Sequence, residues 1–117
     1  MSPRVFVYGT LRKGGPRASF LNGCAFLGRH TLAGYRLLDL GAFPGAVPGD
    51  GGVVGELYEL RDEAILEFLD AVEGVDDAPP LYRRREVAVD GAPAWMYVYA
   101  RESLRARPIA SGDWLSR

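Results

Sequence analysis

Chemistry in this chain has few side chains to draw on. His30 is the one histidine and Cys24 the one cysteine. A Ser-His or Cys-His catalytic pair therefore exists only if His30 supplies it. An intrachain disulfide is impossible, and a cysteine-ligated zinc site is excluded. Each of the two also has a plainer reading: His30 as a surface or satisfied structural group in a strand-like run, Cys24 as a small buried hydrophobe. Fifteen acids remain, and carboxylate-driven proton transfer without a metal is prominent among the chemistries that survive.

One of those acids stands apart. Asp62 through Glu73 carries the clear helical period of the chain, with Ile65, Phe68, Leu69 and Val72 at i, i+3, i+4 and i+7. Turning ~100° per residue from Ile65 spreads the apolar side chains between roughly 300° and 100° and sends Glu63, Glu67 and Asp70 to the opposite side, near ~140–200°. Glu73 falls near ~80°, between Leu69 and Leu66, on the face that meets the core. Asp62 projects there too, but capping explains it, and Gly74 is placed to end the helix in a left-handed turn. A carboxylate turned inward is costly to ionise, and the negative end of the helix dipole adds to that cost. Both effects raise the pKa toward neutrality, where a general base works. Two plainer outcomes stay open for Glu73: the helix frays before it, or an Arg of the Arg83-Arg84-Arg85 run pairs with it.

The second candidate is the run Tyr8-Gly9-Thr10-Leu11-Arg12-Lys13-Gly14-Gly15, directly after a short apolar stretch. Glycines after a strand let successive backbone N–H groups share one concavity, a nest suited to carboxylate or phosphate. The spacing is neither that of a P-loop nor the G-x-G-x-x-G of dinucleotide binders. An ordinary tight connection is the alternative. Arg83-Arg84-Arg85 alternates between sheet faces and reads as a solvated edge.

These groups need a frame. Val5 to Tyr8 suits a buried strand, and Pro16 sits at the first turn of a short helix running to Asn22. Residues 26–40 read as two extended pieces hinged near Ala33-Gly34, and residues 41–52, dense in Gly and Pro, as a loop. Val53 to Leu60 resumes a strand, and residues 76–80 are irregular. Arg83 to Val89 and Ala94 to Ala100 form a hairpin around Asp90-Gly91, a common tight-turn pair. Trp95, Tyr97 and Tyr99 share one face of its second strand, Met96 and Val98 the other, and Trp114 packs the tail down. The count is about six strands and two or three helices: an α+β fold, its sheet curled into a small mixed β-barrel with flanking short helices.

At 117 residues, 48% hydrophobic and 25% charged, the chain reads as one domain over 1–117 that buries roughly two-thirds of its unfolded surface without metal or disulfide. A net charge of -1 exerts no general pull on nucleic acid or acidic membrane. The start, Met1 to Val5, lacks a long apolar run, and no stretch approaches ~18 uninterrupted apolar residues. The expectation is a soluble cytoplasmic protein with no nucleic-acid or membrane partner.

Val7-Tyr8-Gly9-Thr10-Leu11-Arg12, then Leu69-Asp70-Ala71-Val72-Glu73-Gly74, then Tyr82-Arg83-Arg84 together resemble the gamma-glutamylcyclotransferase-like family, in its compact bacterial form and similar also to the gamma-glutamylamine cyclotransferases. Phe43-Pro44-Gly45, Gly55-Glu56-Leu57-Tyr58 and Ser111-Gly112-Asp113-Trp114 extend the likeness over nearly the whole chain. The resemblance implies a small mixed barrel with a cavity at one end and a small-molecule gamma-glutamyl substrate. Tyr8, Gly9, Thr10 and Leu11 would hold the glutamyl group through backbone N–H groups, and Tyr82 would line the cavity. Glu73 would be the acid/base in cyclisation to 5-oxoproline with release of an amine, without metal or cofactor. Arg12 matches a position often basic in the family and receives no catalytic duty. Whether the nest holds the α-carboxylate or the oxyanion stays open. The alternatives are a non-catalytic module binding gamma-glutamyl or other small anionic ligands on the same scaffold, and a phosphate or nucleotide binder using Gly9 to Gly15 with Arg12 and Lys13.

Overall fold

The computed structural model describes residues 2–101 and 106–117. Within them run six strands, β1 (Arg4–Val7), β2 (Ala25–Asp39), β3 (Pro44–Glu59), β4 (Tyr82–Val89), β5 (Ala92–Tyr99) and β6 (Arg107–Pro108). They form one curled sheet in the order β4-β5-β1-β3-β2-β6. Its pairs are antiparallel except β1 with β5, which is parallel. A single α-helix, α1 (Glu63–Val72), and two 3-10 turns, Ala18–Leu21 and Trp114–Ser116, complete the described elements. The expected helix from Pro16 is thus only the first of those turns.

Central β1 explains the layering. Val5 and Phe6 are both fully buried, and successive residues face opposite sides of the sheet. Phe6 joins Leu37, Leu57, Met96 and Val98 on one face, closed off by Trp114. Val5 and Val7 join Leu66 and Leu69 of α1 and Tyr97 on the other. The hairpin face assignment follows the same alternation, and its turn takes Asp90 at φ 53° and Gly91 at φ 78°, the two left-handed residues a tight hairpin requires.

Residues 41–52 depart from the expected loop. β3 begins at Pro44 and runs through the Gly- and Pro-rich stretch, paired antiparallel with β2 from Asp39↔Pro44 to Tyr35↔Pro48. Tertiary pairing overrides composition here for an identifiable reason. The N–H of Ala46 points away from β2, donating to the Tyr8 hydroxyl at 3.0 Å. Pro44 and Pro48 share its parity, so their missing N–H groups fall on the side where β2 needs no donor. The hinge near Ala33-Gly34 appears as a register shift between Ala33 and Tyr35 within one long strand, with Gly34 at φ 89°.

α1 is capped as its residues suggest: the Asp62 side chain accepts from the Ile65 N–H at 3.1 Å, Glu73 is the C-cap, and Gly74 turns left-handed at φ 66°. The buried arc is rotated relative to the wheel's apolar span. Leu66 and Leu69 are buried while Phe68 is 49% exposed, which puts Glu73 near the middle of the buried arc.

Candidate active site

A cavity of about 90 Å³ opens where β1 leaves the sheet. The turn after β1 supplies Tyr8, Gly9, Thr10 and Leu11, the end of α1 supplies Glu73, and the start of β4 supplies Tyr82. The structure brings every site residue expected from the sequence to this one cavity. Phe43 and Pro44 form the opposite wall. Gly9 is there for space: a Cβ on it would lie 2.7 Å from Pro44 Cγ, too close for any side chain without moving that wall.

Glu73 has neither of the plainer fates. The helix does not fray before it, since its N–H still bonds the Leu69 carbonyl at 2.9 Å. The arginine run does not reach it. Arg84 pairs with Asp70 at 3.3 Å and lies over the Trp95 ring, while Arg83 and Arg85 are exposed. Among the described residues the Glu73 carboxyl has no hydrogen-bond or ion-pair partner. Burial pushes its pKa up to about 7, and the Arg17 guanidinium pulls against that shift. The group thus exchanges protons near neutral pH.

The glycine-rich turn divides into two halves. The N–H groups of Arg12 and Gly15 go to the carbonyls of Gly9 and Arg12, and that of Lys13 goes to Glu56 Oε1 at 2.9 Å. Those of Tyr8, Gly9, Thr10, Leu11 and Gly14 take no acceptor among the turn, loop and side-chain hydrogen bonds of the described residues. Of the nest expected over Tyr8 to Gly15, the four open donors on residues that line the cavity are those of Tyr8, Gly9, Thr10 and Leu11. Arg12 is not available for phosphate, and Lys13 is not among the residues that line the cavity. Arg12 is 3% exposed and bonded to Glu56 and Asp113, and Lys13 sits 3.5 Å over the Phe26 ring.

Three tyrosines face the cavity with their hydroxyls already committed. Tyr8 donates to the Tyr97 carbonyl at 2.7 Å, Tyr82 donates to the Pro44 carbonyl at 2.6 Å, and Tyr97 donates to Asp70 Oδ1 at 2.7 Å. Burial raises the pKa of all three well above the ordinary tyrosine value, so they remain protonated braces. Asp70 is thereby corrected from the wheel's solvent side: it is half-buried, held by Tyr97 and Arg84 from the neighbouring hairpin.

Two features were not found from the sequence. Arg17, placed there only within a short helix, lines the cavity beside Glu73. The other is a buried ion cluster behind the turn. Arg12 Nε meets Glu56 Oε2 at 3.0 Å, its Nη1 meets Asp113 Oδ1 at 2.6 Å, and Arg29 reaches Asp113 Oδ2 at 3.2 Å. The signal for it lay in the Gly55-Glu56 and Gly112-Asp113 blocks, acids set in otherwise apolar surroundings. His30 is half-buried on β2, away from the cavity, and its Nε2 lacks a partner, so it is not the satisfied group expected. Cys24 is half-buried against the core on the α1 side of the sheet. Among the described residues no three His, Cys, Asp or Glu side chains converge where a metal ion could be held, and no helix is long and apolar enough to cross a membrane.

Comparison with known proteins points one way. Residues 5–116 match the family model described as gamma-glutamyl cyclotransferase, AIG2-like. The chain is 40% identical to the gamma-glutamylcyclotransferase family protein YtfP of Escherichia coli, over 97% of each chain. It is 32% identical to the gamma-L-glutamyl-butirosin B gamma-glutamyl cyclotransferase of Niallia circulans, over 86% of this chain and 69% of that one. Among solved structures, an uncharacterised protein of Pyrococcus horikoshii superposes with a TM-score of 0.83 at 34% identity, covering 97% of this chain and 90% of the other.

Proposed function

The chain belongs to the gamma-glutamyl cyclotransferase, AIG2-like family, and from that premise we propose that it closes gamma-glutamyl amines or peptides to 5-oxoproline with Glu73 as general acid/base. The observation that carries this reading is a lone carboxyl without a partner, its pKa pushed up to about 7 by burial, in a cavity also lined by four residues with uncommitted backbone donors. Nucleophile and electrophile sit in one molecule, so the protein has only to fold the substrate and move protons. Glu73 takes a proton from the α-ammonium, and the freed amine attacks its own γ-carbonyl to form the ring C–N bond. As the bond to the outer nitrogen breaks, Glu73 returns its proton there. The second proton of the ring nitrogen follows the same route through Glu73 to the departing nitrogen, so the products are a neutral lactam and an ammonium.

The donors of Gly9, Thr10 and Leu11 serve the glutamyl head, where the α-carboxylate and, at ring closure, the γ-oxygen carry negative charge. Tyr8 and Tyr82 act through shape: their hydroxyls hold β5 and the Pro44 wall, so the rings fix the cavity's width. A module that merely bound an anion would gain nothing from a buried, unpaired carboxyl beside it.

The test is incubation of the protein with a panel of gamma-glutamyl amines and dipeptides, with 5-oxoproline read by mass spectrometry. Release by the native chain and its loss in Glu73→Gln is the expected result; undiminished release by the variant removes Glu73 from the reaction.

A further inference from the structure

The cavity wall carries two charges, Glu73 and Arg17, among fourteen lining residues. Glu73 has a task in the proposed reaction and Arg17 has none. Its backbone is fixed, with the N–H bonded to the Thr10 carbonyl at 3.0 Å, so the residue is moored to the same turn that offers the free donors. Its side chain is exposed. The guanidinium has no hydrogen-bond or ion-pair partner among the described residues, whereas Arg12, Arg29 and Arg84 are each committed to a carboxylate. A planar cation at a pocket rim, backed by rigid main chain and left without a partner, is suited to bidentate capture of a carboxylate.

We infer that Arg17 selects the leaving group: it binds a carboxylate on the departing amine, so the favoured substrates are gamma-glutamyl amino acids and peptides rather than gamma-glutamyl derivatives of neutral or cationic amines. This rests on the cyclotransferase reading above. Size supports it. At about 90 Å³ the cavity is far smaller than the ~300–1,000 Å³ of sites that enclose a drug-sized ligand. It takes the glutamyl head, and whatever follows the γ-nitrogen extends to the rim. The glutamyl α-carboxylate enters with the head, where the donors of Gly9, Thr10 and Leu11 meet it. A second carboxylate, on the leaving amino acid, emerges where Arg17 stands. An ammonium emerging there meets a like charge instead.

The experiment compares two substrates that differ in one group, gamma-glutamyl-alanine and gamma-glutamyl-alanine amide. Each is assayed for 5-oxoproline with the native chain and with Arg17→Gln. Arg17 also lowers the proton affinity of Glu73, but that effect is common to both substrates and cancels in the acid-to-amide ratio of kcat/KM. The ratio is expected on the order of tenfold for the native chain, the scale of one hydrogen bond to a charged group. It falls to about one in Arg17→Gln and shrinks as salt rises. A native ratio of one, or a ratio that survives the substitution, overturns the assignment while leaving the cyclotransferase reading intact. No 5-oxoproline from either compound, nor from any other gamma-glutamyl compound in the panel, overturns both.

Discussion

Two sets of inward-facing carboxylates flank the same turn, and the protein treats them in opposite ways. Behind the turn, Glu56 and Asp113 are saturated. Glu56 accepts from Arg12, from the Lys13 N–H and from the Tyr58 hydroxyl, while Asp113 accepts from Arg12, Arg29 and the Leu115 N–H. Burial works against the charge on Asp113, yet the Arg12 and Leu115 bonds hold its carboxyl below the ordinary range. In front of the turn, Glu73 has no partner and its pKa is pushed up to about 7. The difference lies not in burial but in what the fold supplies to the charge. Residues 12 and 13 spend their donors anchoring the turn to β3 and the tail, which leaves residues 9–11 held in place with theirs unspent. One side is organised for rigidity while the other remains unsatisfied, as the proposed reaction requires.

The contrast breaks most visibly at Glu73. Glu73→Gln is expected to lower 5-oxoproline release by roughly 10²–10⁴-fold, the usual worth of a positioned acid/base, with the far-UV spectrum unchanged. In the native chain kcat/KM is expected to rise with pH and level off above about 7, because in the proposed reaction only the carboxylate form accepts the α-ammonium proton. A flat profile across that interval would contradict the role.

On the saturated side the damage is to stability instead. Arg12→Met removes the buried cation shared by Glu56 and Asp113, so that Glu56 keeps only the neutral donors of Lys13 and Tyr58, and Asp113 only the exposed Arg29 and the Leu115 N–H. The expected loss is about 3–5 kcal/mol in denaturant unfolding. Adding Glu56→Gln and Asp113→Asn to the same chain should recover much of it, since the penalty is the orphaned charge and not the missing arginine. A loss below about 1 kcal/mol for Arg12→Met would mean that the cluster is decorative.

Between the two lies Gly9. Gly9→Val presses its side chain on Pro44 Cγ, the wall whose carbonyl is held by Tyr82. KM is expected to rise on the order of tenfold with a smaller change in kcat, since the donors shift but Glu73 does not. An unchanged KM would put the substrate elsewhere.

What could be read from the residues, and what could not, follows the same division. Glu73 was legible because a helix is local: ten residues of period place a side chain relative to its neighbours without any knowledge of the rest. The wheel misjudged Asp70 for the complementary reason. The Tyr97 and Arg84 that draw it inward come from the β4–β5 hairpin, beyond the helix's own pattern. The strand at Pro44 was hidden because its pairing partner, not its composition, makes it a strand. The ion cluster was hidden more deeply, its members lying 44 and 101 positions apart, a distance over which no periodicity carries information. Arg17 shows the limit of the motif reading. The turn was recognised, but which of its nearby cations would be buried and which left at the rim is decided by Glu56 and Asp113.

The smallest expected effect separates the two sides by sign. A group whose pKa is higher folded than unfolded binds more protons in the native state, so stability falls as pH rises between the two values. For Glu73 that interval runs from about 4.5 to about 7. Below it the buried acid is neutral in both states; above it the native state carries an unpaired charge. Asp113 behaves in reverse: its depressed pKa contributes stability that is complete above 3.8 and is lost as the pH drops further. Glu73→Gln removes only the first dependence. Relative to the native chain it should be of equal stability near pH 4.5 and more stable at pH 8, by on the order of 1 kcal/mol once water in the cavity is allowed for. Thermal unfolding of both chains at the two pH values measures this directly. A variant that is less stable at pH 8 would mean that the carboxylate has found a partner after all, and the contrast between the two sides of the turn would collapse.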